Sequence, residues 1–93
     1  SRRQLAAVAA ALTAAQGAAI HEGLRRLAGR CDGAVSLDGA GFNKVDTTLG
    51  RSLAANAVLT PRQAALGLRL VRRYRGQLPA TLVEAAVERN LPR

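Results

Sequence analysis

The stretch Leu59-Thr-Pro-Arg-Gln-Ala64-Ala-Leu-Gly-Leu-Arg69-Leu-Val-Arg-Arg73-Tyr-Arg-Gly-Gln77 decides the fold. Thr60 and Gln63 have the spacing of a capping box, in which the hydroxyl accepts from the N3 amide and the N3 side chain returns to the N-cap amide. Pro61 falls at the first helical position, where its fixed φ suits a helix and its missing N–H costs nothing. Working outward, this stretch aligns without gaps with Leu12 to Arg30 at a constant offset of 47, matching Leu12/Leu59, Thr13/Thr60, Gln16/Gln63, Ala18/Ala65, Arg25/Arg72, Arg26/Arg73 and Gly29/Gly76. Cap, double arginine and glycine recur together, which reads as an internal duplication. It predicts two similar helices, roughly 14–28 and 61–75, packed pseudo-symmetrically and each ended by a glycine in the left-handed C′ position.

Two more pairs, Ser1/Gln4 and Thr81/Glu84, repeat the capping-box spacing, so four helix starts are expected. In the first long helix Ile20, Leu24, Leu27 and Cys31 form one stripe, with Glu22, Arg25 and Arg26 away from it. Cys31 then reads as a small core residue. In the second long helix Ala64, Leu68 and Val71 face one side while Arg62, Arg69 and Arg73 project from the other. Between them, 31–45 carries Gly33, Gly39 and Gly41, with Val35, Leu37, Phe42 and Val45 as apolar anchors. A short strand near Ala34 to Leu37 would have no sheet to join. A short helix from Thr47 to Ala57, capped by Asp46 or Thr47, follows. The expected fold is all-α, a compact bundle of four to five helices with an ordered Gly/Asp-rich crossover loop.

Length and composition narrow the function. A chain of 93 residues is one domain with little room for an enclosed cleft, and it begins at Ser1, as expected of a domain from a longer protein. Twenty alanines and only two aromatic residues, Phe42 and Tyr74, leave a core of leucine, valine and close alanine contacts. No large cofactor pocket is expected, and no cofactor. One cysteine and one histidine offer neither a disulfide nor a zinc site, and point to the reducing cytoplasm. Asp32, Asp38 and Asp46 fail the spacing of a calcium loop and read as turn and cap residues. His21 reads as a surface residue with no nucleophile paired to it. No catalytic residue and no metal ligand is assigned, the isolated domain is not expected to be an enzyme, and the apolar run Leu5 to Ala15 is too short and alanine-rich to span a membrane.

Charge is the most telling feature. The net charge is +8, of which +2 lies up to Asp46 and +6 beyond it, and thirteen of the fourteen basic residues are arginine. Arginine binds phosphate bidentately and stays charged at any physiological pH. Between Thr60 and Gln77 stand Arg62, Arg69, Arg72, Arg73 and Arg75, and no acid. A polyanion is the natural partner. With so few aromatics, stacking on single strands is disfavoured and backbone contact expected. A helix-turn-helix made with the segment after Thr81 is the weaker geometry, because the turn is long and Glu84 and Glu88 would enter the groove.

The segments Cys31-Asp-Gly-Ala-Val-Ser-Leu-Asp-Gly-Ala-Gly-Phe-Asn-Lys-Val-Asp46, Leu59-Thr-Pro-Arg-Gln-Ala64 and Arg72-Arg-Tyr-Arg-Gly-Gln-Leu78 resemble a small module attached to bacterial and phage DNA-processing proteins, SNF2-type and other superfamily-2 helicases among them. The likeness covers roughly residues 31–78. It implies attachment to a nucleic-acid-acting machine, with Asp38, Gly41, Phe42 and Asn43 fixing the crossover, and it carries over no catalytic residue.

The expectation is therefore an accessory module that holds nucleic-acid backbone, DNA ahead of RNA, through Arg62, Arg69, Arg72, Arg73 and Arg75, flanked by Lys44 and Arg51. Other domains of a parent protein are further expected partners. The alternative is a protein-interaction or oligomerisation module in which the alanine-rich Leu5 to Ala15 helix docks a partner.

Overall fold

The computed structural model describes residues 1–30 and 40–87. Five α-helices are present among them: α1 (Arg2–Ala11), α2 (Ala14–Arg30), α3 (Thr47–Ala55), α4 (Pro61–Arg73) and α5 (Ala80–Val87), with a 3₁₀ turn at Arg75–Gln77 between the last two. The all-α bundle expected from the capping pattern is the observed architecture. Cys31, Asp32, Asp38 and the segment Ala34 to Leu37 lie outside the described residues.

Three of the four capping boxes form. Ser1 Oγ accepts from Gln4 N at 3.2 Å, Thr13 Oγ1 from Gln16 N at 3.0 Å and Thr60 Oγ1 from Gln63 N at 3.1 Å, each glutamine returning its Oε1 to the cap nitrogen. The fourth start lies elsewhere. Leu78 before Pro79 is extended (φ −121°, ψ 152°), as a residue preceding proline must be, and the Pro79 carbonyl then accepts from Leu82 N and Val83 N. Thr81 is thereby inside α5 rather than capping it.

The glycine ends also differ from expectation. Gly29 lies within α2, Gly76 lies within the 3₁₀ turn, and among the described glycines only Gly41 has a positive φ, 76°. Helix α4 stops at Arg73 by tightening: Tyr74 N bonds Leu70 O, and then Gln77 N bonds Tyr74 O and Leu78 N bonds Arg75 O. The short turn carries i→i−3 bonds on past the helix, accepted by Tyr74 O and Arg75 O, in place of a left-handed glycine cap.

Helices α2 and α4 run parallel, side by side, in the register of the sequence repeat. Gly17, Ala18 and Ala64 border one groove at the capped ends. One step along, a Cβ at Gly67 would lie 2.9 Å from Ile20 Cγ2 and 2.8 Å from Leu24 Cδ1; further on, a Cβ at Gly23 would lie 3.1 Å from Val71 Cγ2. At the far ends Arg30 Nη1 donates to Gln77 O at 3.1 Å. Each helix thus carries a glycine hollow that receives a branched side chain of the other. The outer helices follow the same twofold logic, since α1 packs on α4 and α3 on α2, while α5 covers α2 and to a lesser extent α4. The pseudo-symmetric packing of the two long helices is therefore present. Ile20, Leu24, Leu27, Phe42 and Val71 are the large side chains removed from solvent, each worth roughly 1.5–3 kcal/mol of burial.

Candidate nucleic-acid interface

The arginine helix owes its polarity to how thoroughly the rest of it is covered. Ala64, Gly67 and Val71 face α2, and Ala65, Leu68 and Leu70 are also buried, so the exposed residues of the helix beyond its first turn are arginines, with Gln63 and Leu66 half-buried. Arg62, Arg69 and Arg73 occupy the outer stripe at intervals of seven and four, and all three are exposed. Arg72 stands exposed on one flank and Arg75 in the 3₁₀ turn. Lys44 and Arg51 are exposed too, but on other elements: Lys44 in the turn before α3, Arg51 on α3, which packs chiefly against α2. From Thr47 to Val83 the sequence has six arginines and no carboxylate.

Arg73 has a second occupation. Its Nη1 donates to Asp46 Oδ1 at 2.9 Å and Oδ2 at 2.8 Å, and the Tyr74 hydroxyl donates to the same Oδ2 at 2.6 Å. Asp46 retains only 7% of its surface exposure. The Tyr74 hydrogen bond, aided by Arg73, holds its carboxyl below the usual carboxylate range against the opposing effect of burial. Burial, with Asp46 alongside, pushes the Tyr74 phenol up. Asp46 occupies the N-cap position of α3 yet makes no side-chain capping bond, so its expected capping role is replaced by this contact to α4.

Around that carboxylate the crossover is fastened to the end of α4. Tyr74 accepts from Asn43 N at 3.0 Å, and Asn43 Oδ1 accepts from Asp46 N at 2.8 Å. Gln77 clamps Gly41 from both sides, accepting from its nitrogen at 2.6 Å and donating to its carbonyl at 3.1 Å. Phe42 is 2% exposed, meets Tyr74 edge-on with centroids 5.6 Å apart, and lies so close to Gly50 of α3 that a Cβ there would overlap the ring. Phe42 is the anchor expected of it. Val45 is not: it is 86% exposed, because the turn closed by Asn43 and Asp46 leaves it at the outer corner. Gly41, Phe42, Asn43, Asp46, Tyr74 and Gln77 meet in one lock whose groups satisfy one another.

Because α2 and α4 are parallel, their last turns lie together, and three arginines that the sequence reading left out join the surface. Arg25, Arg26 and Arg30 are all exposed, and Arg26 and Arg30 border a groove with Gly76, Gln77, Leu78 and Pro79. Arg26 is held by Glu22 at 3.1 Å within α2 and Arg73 by Asp46 from outside α4, acids that do not correspond in the repeat, while Arg25 and Arg72 have no ion-pair partner among the described residues. The signal was available in the offset of 47, which pairs Arg25 with Arg72 and Arg26 with Arg73. Cations here also offset the negative ends of two helix dipoles.

At the capped ends of the same helices is a half-open groove of about 420 Å³, bordered by Ala9, Leu12, Gly17, His21, Leu59 and Pro61 among others. His21, expected at the surface, is half-buried there, with Nε2 enclosed and unpartnered among the described residues. Among the described residues no three His, Cys, Asp or Glu side chains gather to hold a metal ion, and no helix is long and apolar enough to cross a membrane. Comparisons with protein families, curated proteins and solved structures find no match to this chain.

Proposed function

We propose that this chain is a nucleic-acid-binding accessory module, DNA-directed, that grips backbone phosphates through exposed arginines of α4 and the turn after it. The observation that carries the reading is the solvent-facing side of α4: Arg62, Arg69 and Arg73 on its outer stripe around the half-buried Leu66, with no carboxylate in sequence from Thr47 to Val83. Such a surface is built for a line of phosphates rather than for a single acid. Phe42 is buried and Tyr74 is engaged by Asp46 and Asn43, so neither is a stacking platform. Arg73, held by Asp46, orients the surface more than it contacts ligand. The direct contacts are Arg62, Arg69, Arg72 and Arg75. Catalysis belongs to other parts of a parent DNA-processing protein, a helicase being the kind implied by the resemblance, and the setting is the cytoplasm.

Fluorescence-anisotropy titration of labelled DNA across salt concentrations tests this. Four phosphate contacts give a slope of log affinity against log salt of about −3.6, from roughly −0.9 per contact on duplex. Arg62→Ala with Arg69→Ala should flatten it by about two units and weaken all sequences alike, since phosphate contacts carry no base information. Absence of binding to DNA and RNA at low salt overturns the reading.

A second reading, a protein-docking module, is favoured by one specific observation. The groove beside His21 is mostly apolar, and near it Val58 stands 79% exposed on the α3 to α4 connection. Sedimentation of the isolated chain separates the two, because self-association would depend on that end of the molecule and not on the arginines.

A further inference from the structure

Resting on the phosphate-binding reading, we propose that the phosphate surface continues from α4 onto α1, where Arg2 takes a backbone phosphate beside those held by Arg69 and Arg72. Ala65 locates the junction. It lies on the flank of α4 between Arg62, three residues before it, and Arg69 and Arg72, four and seven after, so whatever covers it lies beside those three arginines. Ala65 is 1% exposed and, like Leu5 of α1, is buried apart from the main core. Helix α1, whose packing partner is α4, supplies the cover. Tyr74, which holds the crossover, is nine residues on from Ala65 and therefore on the opposite side of α4.

The direction of α1 follows from the groove at the capped ends. Ala9 and Leu12 border that groove together with Pro61 and Ala64 of the first turn of α4. Leu5, a turn further back, is still buried, so α1 runs antiparallel along α4. Arg2 precedes Ala9 by seven residues, about 10 Å, which brings it level with the turn of α4 that carries Arg69 and Arg72. Arg2, Leu5, Ala9 and Leu12 stand at spacings of three, four and three, one stripe turned toward α4, whereas Arg3 projects from the far side of α1. Both arginines are exposed, and neither has a carboxylate partner among the described residues. Two further observations direct Arg2 to a ligand. Helices α1 and α4 come from the two longest acid-free runs of the chain, 1–21 and 47–83, and their packing makes one face of them. Glu22 and Asp46 are taken up by Arg26 and Arg73, and Glu84 lies on α5, which packs chiefly on α2. Arg2 also occupies the first turn of α1, next to the Ser1 cap, where the positive end of the helix dipole disfavours a cation. An acid there would serve the helix; an arginine serves a ligand.

The experiment uses the 93-residue chain and a labelled DNA duplex, titrated across salt concentrations. Arg2→Ala should flatten the salt slope by about 0.9, and Arg2→Ala with Arg69→Ala by about 1.8, because both side chains meet one ligand. Arg3→Ala, an equal change of net charge one residue away, should leave the slope as it is. Arg2→Glu separates binding from folding. An acid at the first helical position suits the helix dipole, so the melting temperature should hold or rise while affinity falls further than in Arg2→Ala. If Arg2→Ala leaves the slope intact while Arg62→Ala flattens it, or if Arg3→Ala flattens it as much as Arg2→Ala does, the extension onto α1 falls and the α4 surface stands. If no nucleic acid binds at low salt, the phosphate reading itself has failed.

Discussion

Helices α2 and α4 begin alike and end differently. Each start is set by a threonine and a glutamine three residues on, and the hydrogen bonds between them differ by no more than about a tenth of an ångström between the two helices. At the other end α2 continues through Gly29 to Arg30, whereas α4 breaks at Arg73 into a 3₁₀ turn. The aligned glycines, Gly29 and Gly76, do not make this difference. What does is that Tyr74 and Gln77 are taken by the crossover, one by Asn43 and Asp46, the other by Gly41. Their counterparts in the repeat, Leu27 and Arg30, are differently engaged: Leu27 is buried in the core and Arg30 Nη1 donates to Gln77 O. Helix starts here are local chemistry, and helix ends are tertiary.

The strongest way to break that comparison is to remove what pulls α4 out of register. Phe42→Ala should cost about 4 kcal/mol, because the ring is buried against Tyr74 and Gly50 and its loss opens a cavity at the lock. Chemical denaturation measures it. Amide exchange in the same variant should rise at Tyr74 to Leu78 while the first turns of α2 and α4 keep their protection; equal loss at starts and ends would show the two to be governed alike.

Asp46→Asn comes next, at about 2 kcal/mol at neutral pH, since a carboxylate accepting three hydrogen bonds becomes a neutral amide that cannot accept them all. This contribution carries a pH signature. The folded carboxyl has its pKa lowered, so the stability it supplies is present above the ordinary carboxylate value, about 3.9, and is lost as pH falls through the lower folded value. Denaturation midpoints of the parent chain should therefore decline more steeply on the acid side than those of Asp46→Asn. Parallel curves would mean that Asp46 is not the group responsible.

Thr13→Ala and Thr60→Ala sharpen the other half of the comparison. Each removes one acceptor for an N3 amide and should cost about 1 kcal/mol. Thr13 is the better shielded of the two, and its partner Gln16 also reaches Ala86 O at 3.4 Å, so the α2 cap should be the dearer by a few tenths. Thermal melts of the two variants would contradict local control if one cap mattered and the other did not.

These contrasts also mark what the sequence could reveal. Three caps, the repeat and the arginine stripe were legible because each rests on spacing along the chain, and the buried Phe42 because the chain has so few aromatic residues. Thr81 misled because Pro79, two residues earlier, governs the entry to α5. Asp46 was read as a cap because its partners, Arg73 and Tyr74, lie 27 and 28 residues away, and no local pattern announces a bond over that distance. Arg25, Arg26 and Arg30 were passed over for a related reason: they join Arg72 and Arg75 only once the two helices are known to run the same way.

The smallest effect tests the glycines directly. Had Gly29 closed α2 in the left-handed conformation, a side chain there would be strained and Gly29→Ala would destabilise. In the fold it sits inside the helix with an ordinary φ, and a Cβ at that position meets nothing within 4 Å. Alanine in place of a helical glycine limits the unfolded chain and favours the helix, so Gly29→Ala should stabilise by about 0.5 kcal/mol. A rise in melting temperature is the expected outcome, and a fall would restore glycine to the end of α2. Gly76→Ala, equally uncrowded but in the 3₁₀ turn that Gln77 steadies, should gain less. The order of the two gains then reports whether the repeat's glycines are in different structures, as the ends of α2 and α4 are.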